Sequence, residues 1–149
     1  MIFFDASAAA KRYFQEIGSE RVQDLWSGPD IRSSLAILHC ELASALNRKL
    51  RERGLSRGVY ESLKDQIEAD LAKLNTVPAD DNLIERSLPL LDTHPLRALD
   101  SLYLAAALSL QQALKIPVLF VSADRQLLRA AQAEGLKVLD PETTSGNPL

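Results

Sequence analysis

The chain holds a single cysteine, Cys40, in 149 residues, so no internal disulfide can form. That fits a reducing compartment such as the cytoplasm. Cys40 stands beside His39, but no CxxC and no second Cys/His pair completes a tetrahedral zinc site. A buried thiol is the expectation for it. Histidine is nearly as scarce. His39 and His94 are the only two, and neither lies in a recognisable catalytic context. No apolar run approaches the ~20 residues that cross a bilayer, so no membrane partner is expected. The opening MIFFDASAAAKRYF lacks a basic stretch before its apolar residues, and Asp5 interrupts them, unlike a secretory signal. Positive charge is also in short supply. A net charge of −3 gives no bulk attraction to nucleic acid, so any such binding needs a local basic patch or a bound metal.

The remaining composition is ordinary for a globular protein, with 46% hydrophobic and 25% charged residues. The length suits a single domain over residues 1–149, with a loose tail from about 142 to 149.

Acid in costly places is what distinguishes the chain. Asp5 ends an apolar run in FFDAS, Asp100 sits in LRALDSLYLAAAL, and Asp124 follows LFVSA. Glu41 lies near the apolar face of the segment starting at Leu35. Ionised carboxylates do not sit beside a core without compensation. A divalent cation such as Mg²⁺ or Mn²⁺ takes hard oxygen ligands and would neutralise such a group.

The pattern alternates strand and helix. Ile2–Asp5, Ile31–Ser34, Thr76–Ala79, Pro117–Ser122 and Lys137–Leu139 read as short strands. Helices are expected over residues 6–17, 19–26, 35–53, 57–75, 80–92 and 123–134, with Pro89 kinking or shortening one of them. Thr93-His94-Pro95 should open a further, central helix. No run looks like a hairpin. The fold class is therefore α/β, a three-layer α/β/α sandwich on a mostly parallel sheet of four to five strands. Ligands of such sheets bind beyond the carboxyl ends of the strands. Asp5 and Asp124 both fall at that edge, and Glu41 and Asp100 are near helix entrances that could reach it. Two metals ~3.5–4 Å apart on shared carboxylates would support phosphodiester hydrolysis without a side-chain nucleophile.

Four segments carry these acids in order: FFDASAAAKRYFQEIGSE, SSLAILHCELASALNRK, HPLRALDSLYLAAAL and FVSADRQLLRAAQAEGLKVLDP. Together they resemble the PIN-domain ribonucleases, in particular the VapC-type toxins of toxin–antitoxin pairs. The resemblance implies that Asp5, Glu41, Asp100 and Asp124 form an acidic cluster binding Mg²⁺ or Mn²⁺. Asp5 and Asp100 would be direct ligands, with Glu41 and Asp124 acting partly through water. It places Ser7 and Ser122 as supporting hydroxyls. It gives Tyr103, where relatives often carry histidine, a packing role. The implied reaction is endonucleolytic RNA cleavage by metal-activated water. The implied partners are an RNA substrate, an antitoxin protein and a second copy in a homodimer.

Other readings stand beside this one. Asp5 could pair with Lys11 or Arg12 and Asp100 with Arg97 as structural ion pairs, and Asp124 could simply cap its helix. Trp26, Tyr13 and Phe14 read as packing residues. The densest basic run is Arg48, Lys49, Arg51, Arg53 and Arg57. It is either a solvated helix end or an RNA-phosphate patch, with Arg48, Lys49 and Arg51 as its contacts. As a whole, the chain could also be a flavodoxin-like phosphoacceptor domain, or an RNA-binding scaffold that does not cut.

Overall fold

The computed structural model describes residues 1–52 and 54–143. In chain order these form β1 (Ile2–Phe4), α1 (Ala6–Ala10), α2 (Ser19–Ser27), β2 (Arg32–Leu35), α3 (Leu38–Arg51), α4 (Arg57–Leu71) and β3 (Asn75–Val77). Then follow α5 (Asp81–Thr93), α6 (Ala98–Leu114), β4 (Leu119–Val121), α7 (Arg125–Ala133) and β5 (Lys137–Leu139). The five strands form one sheet in the order β3-β2-β1-β4-β5, and every pairing is parallel.

Strand alternation builds two cores. Phe3, Leu35 and Phe120 point to one face, where α5, α6 and α7 supply Leu83, Leu104 and Leu128. Ile2, Phe4 and Val121 point to the other, against α1 to α4, with Val22, Leu42 and Leu71. A strand buried on both faces has no polar side, which is why β1 reads as a continuous apolar run. The register Phe3↔Phe120 stacks the two rings, with centroids 5.8 Å apart. Burying each such ring contributes about 1.5–3 kcal/mol. Trp26 packs on Phe4 and Tyr13, and Phe14 is buried beside them.

The chain runs outward from β1 to β2 and β3, then returns to β4 and β5 on β1's other side. The strand order therefore reverses between β1 and β4. Crevices at such a reversal are the usual ligand sites of open parallel sheets.

Four helices differ clearly from the sequence expectation. The one expected from 35 starts at Leu38, with Leu35 ending β2, and the one expected to 75 ends at Leu71, with Asn75 opening β3. The first helix, expected over 6–17, ends at Ala10. Lys11, Arg12 and Tyr13 tighten onto carbonyls three residues back, which turns the chain so that Tyr13 and Phe14 reach the core. The helix expected at Pro95 starts at Ala98. His94, preceding a proline, is extended and closes α5 instead, and its Nε2 lies 2.7 Å from Glu134 Oε1. Pro89 sits inside α5, which nevertheless runs on to Thr93.

The tail expected to be loose from 142 is held at its start. Glu142 accepts a 2.7 Å bond from the buried Lys11 ammonium, and Thr143 O accepts a 2.7 Å bond from Arg21 Nη1. Gly18 makes this docking possible. Its φ is +87°, and a Cβ there would lie 2.6 Å from the Pro141 carbonyl oxygen. Residues 144–149 fall outside the described part.

Candidate active site

The four acids sit at the N-terminal ends of four helices. Asp5 is the N-cap of α1 and Asp124 the N-cap of α7. Glu41 lies in the first turn of α3 and Asp100 in the first turn of α6. Unpaired N–H groups and the helix dipole favour negative charge at these positions. Asp5 and Asp124 follow β1 and β4, adjacent strands flanking the strand-order reversal.

Asp5 is the buried member, 5% exposed. Its Oδ1 accepts the Ala8 N–H at 2.8 Å, and its Oδ2 accepts the Ser122 hydroxyl at 2.8 Å. Ser7 Oγ lies within 2.9 Å of both oxygens. These hydroxyls are themselves fixed, Ser7 by the Ala123 N–H and Ser122 by the Asp124 N–H, each at 2.9 Å. The network therefore ties the β1–α1 turn to the β4–α7 turn. Burial pushes the Asp5 acid up to about 6, against the opposing pull of Ala8, Ser122 and Ser7, with the nearby Asp100 charge adding to the rise. A carboxylate this reluctant to ionise lacks a counter-charge of its own.

The ion pairs proposed for Asp5 do not form. Lys11 is taken by Glu142 and Glu16, and Arg12 by Asp70. Among the described residues no lysine pairs with Asp5, as phosphoacceptor chemistry would require. The Asp100–Arg97 pair does form, with Arg97 Nε 2.9 Å from Asp100 Oδ2. The same guanidinium reaches within 3.7 Å of Asp124 Oδ2 and also feels Glu41. The hydrogen bond to Asp100, then its charge, hold Arg97 more firmly protonated than usual. Asp124 divides its oxygens. Oδ1 caps α7 through Gln126 and Leu127 N–H groups, and Oδ2 faces Arg97. Helix capping and site membership are thus both open to the same side chain.

Tyr103 departs from a pure packing role. It is buried edge-on to Phe3, but its hydroxyl also donates to Glu41 Oε2 at 2.5 Å. Burial, then the Glu41 carboxylate, raise its pKa far above the ordinary phenol range, so it stays a donor. Tyr103 is one turn beyond Asp100 on α6, and that shared helix face was the signal available in the sequence. The thiol expectation also fails. Cys40 is exposed, because it lies off the α3 stripe of Leu38, Leu42 and Leu46 that faces the core.

The donor set is carboxylate oxygen throughout, the chemistry that suits Mg²⁺ or Mn²⁺. Among the described residues no three His, Cys, Asp or Glu side chains are arranged to hold an ion at once. Arg97 instead supplies the local positive charge. The residues fit a divalent cation in charge and atom type, on the condition that Arg97 yields its place.

Fold and site together define an α/β/α protein with an acidic cluster at the strand-order reversal. A family model described as "PIN domain" matches residues 2–133, and the chain belongs to the PIN-domain family. It is 30% identical over 146 residues to ribonuclease VapC45 of Mycobacterium tuberculosis, covering 95% of this chain and 99% of that one. The fold is similar to that of FitAcB from Neisseria gonorrhoeae, with a TM-score of 0.70 and 17% identity over 95% of this chain and 98% of that chain. A toxin–antitoxin complex from Klebsiella pneumoniae matches at a TM-score of 0.59 and 15% identity, over 95% and 98% of the two chains. No helix among the described residues is long and apolar enough to cross a membrane.

Proposed function

We propose that the protein is an endoribonuclease toxin of the VapC type, cutting RNA with Mg²⁺ or Mn²⁺ as cofactor. The observation that supports this reading is that Asp5 and Asp124 follow the adjacent strands β1 and β4 at the strand-order reversal and are linked through Ser122, with Glu41 and Asp100 in the first turns of α3 and α6. The kinship to ribonuclease VapC45 along nearly the whole chain supports it. In this reading residues 1–149 act as one nuclease domain in the cytoplasm, as a homodimer, and a cognate antitoxin restrains it.

When bound, the cation would neutralise the phosphoryl oxygens and lower the pKa of the attacking water. Asp5 and Asp100 would hold it directly. Ser7 and Ser122 fix the Asp5 carboxylate, so little reorganisation is needed on loading. Tyr103 orients Glu41. Asp124 has one oxygen anchored by α7 and the other turned to Arg97 at the site.

Incubating total RNA with the protein tests the reading. Cleavage is expected with Mg²⁺ or Mn²⁺, none with EDTA, and none from a folded Asp100→Asn protein, which should also cease to inhibit growth. Cleavage by that variant at the wild-type rate would overturn the site assignment.

A further inference from the structure

Arg97 stands where helix physics disfavours it. It is the N-cap of α6, a position that suits Ser, Thr, Asp or Asn, and its side chain makes no capping bond. It also brings a positive charge to the positive end of the helix dipole. The ion pair with Asp100 offsets little of this, because the arginine side chain is 81% exposed. Local rules are broken in this way mainly at functional sites.

The side chain leans over the carboxylates. Nε donates to Asp100 Oδ2 at 2.9 Å and Nη2 to Oδ1 at 3.4 Å, a two-pronged grip on a flat oxyanion. Nη2 also lies 3.7 Å from Asp124 Oδ2. Nη1 has no acceptor among the described residues.

No other cation is placed this way. Among the described residues, Arg97 alone forms an ion pair with any of the four acids. Lys11 is paired with Glu142 and Glu16, Arg12 with Asp70, and Arg125 with Asp140. The basic run expected to contact RNA stands further off. Lys49 turns to Glu16, 3.8 Å away, and lies over the Phe14 ring at 4.7 Å. Arg48 lines a groove between α1 and α3, and Arg51 ends α3. They are about 10 and 15 Å from Glu41 along the helix axis. Arg53 lies outside the described residues. Meanwhile, four ionised carboxylates outweigh one divalent cation and are only matched by two, so an approaching phosphate finds no net attraction.

We propose that Arg97 is the phosphate clamp of this site: it holds Asp100 until a divalent cation loads, then moves its two-pronged grip to the non-bridging oxygens of the scissile phosphodiester. The proposal rests on the ribonuclease reading above. A phosphodiester offers the guanidinium a pair of oxygens, as a carboxylate does. The exchange gives up one exposed ion pair and no buried packing. Metal loading frees the guanidinium, and the freed guanidinium offsets the carboxylates against the phosphate. Metal and RNA affinities are thereby coupled through one side chain.

The test is fluorescence anisotropy of the full chain with a labelled single-stranded oligoribonucleotide of mixed sequence. It is run in EDTA and in Ca²⁺, which takes the same oxygen ligands as Mg²⁺, with gels showing the probe uncut. In Ca²⁺, Arg97→Ala should raise Kd at least about ten-fold, the scale of a hydrogen bond between charged groups. In EDTA, where Asp100 already engages the guanidinium, the rise should be about two- to three-fold. Arg97→Lys keeps the charge without the fork and should recover only part of the Ca²⁺-dependent gain. Lys137→Ala removes an equal charge at the far end of the sheet, on β5, and should change neither value. In isothermal titration Arg97→Ala should bind Mn²⁺ more tightly, so that metal and RNA affinities move in opposite directions. With Mg²⁺, kcat/KM for RNA should fall with the Ca²⁺-dependent affinity.

Equal losses of RNA affinity in EDTA and in Ca²⁺ would overturn the clamp, leaving a long-range charge effect. An Arg97→Ala protein that cuts RNA faster than wild type would also overturn it, as expected of a side chain that only blocks the site. Full recovery by Arg97→Lys would overturn the two-pronged contact. A wild type that gains RNA affinity with Ca²⁺ through Arg97, yet cuts nothing with Mg²⁺ or Mn²⁺, would refute the ribonuclease reading and leave the clamp standing.

Discussion

Replacing Asp5 with asparagine should abolish cleavage and yet stabilise the metal-free protein at neutral pH. The fold raises this acid from 3.8 to about 6 by burying it. A raised acid means the native state prefers the protonated form. Between those two values the folded chain keeps a proton that the unfolded chain has released, so stability falls as pH climbs through that window. The loss is complete by about pH 7 and corresponds to roughly 3 kcal/mol, against about 1 kcal/mol at pH 4.5. Asparagine removes the charge and keeps the cap, since its side-chain oxygen can still accept the Ala8 N–H. Its amide can donate to the Ser7 and Ser122 hydroxyls, with a geometric loss of about 1 kcal/mol. The net expectation is a gain near 2 kcal/mol at pH 8, about 4–8 °C in Tm for a chain of this size, and almost none at pH 4.5. Urea melts in EDTA at the two pH values measure it. Millimolar Mg²⁺ should then raise the wild type at pH 8 and leave the variant unmoved, because only the wild type has the charged site to bind it. A gap of equal size at both pH values, or a variant less stable at pH 8, would refute the idea that Asp5 is a strained, ionised ligand.

Tyr103→Phe should cost about 1–2 kcal/mol by removing the donor from Glu41, and should lower cleavage at saturating metal; calorimetry and RNA gels on one preparation test both, and full activity would return Tyr103 to a packing role. Arg97→Ala should tighten Mn²⁺ binding by up to about five-fold in isothermal titration, the scale of an exposed ion pair; its guanidinium is 81% exposed, and weaker metal binding would show that it does not compete. Gly18→Ala should lose about 2–4 kcal/mol in a urea melt, since it forces a side chain at φ +87° into the Pro141 carbonyl; an unchanged midpoint would show that the Pro141–Thr143 segment is not held there.

Much of this was legible in the chain. Strand ends gave the positions of Asp5 and Asp124, because a short apolar run bounded by turns has little choice but to be a buried parallel strand. The helix periodicity put Glu41 and Asp100 near their entrances. What stayed hidden depended on side-chain direction across elements. Arg97 was visible as a partner for Asp100 three residues on, but its reach to Asp124 needs α6 and α7 to be placed side by side. Tyr103 lies in an apolar run, so its hydroxyl carried no local signal until α3 was packed against it. Lys49 and Arg48 are neighbours in sequence, and only the helix surface decides that one turns to Phe14 and the other to the groove. The early end of α1 came from tertiary demand. Residues 11–17 could have continued the helix, but the core needed Tyr13 and Phe14.

The place of β1 between β2 and β4 has a consequence in time. Asp5 is translated before Ser122, which holds it, and the two are 117 residues apart. At roughly 5–20 residues per second, that is an interval of about 6–23 s. Throughout it, β1 has no neighbour on its β4 side, and Asp124 does not yet exist. The site at the strand-order reversal is therefore incomplete in a nascent chain until β4 slides in next to β1.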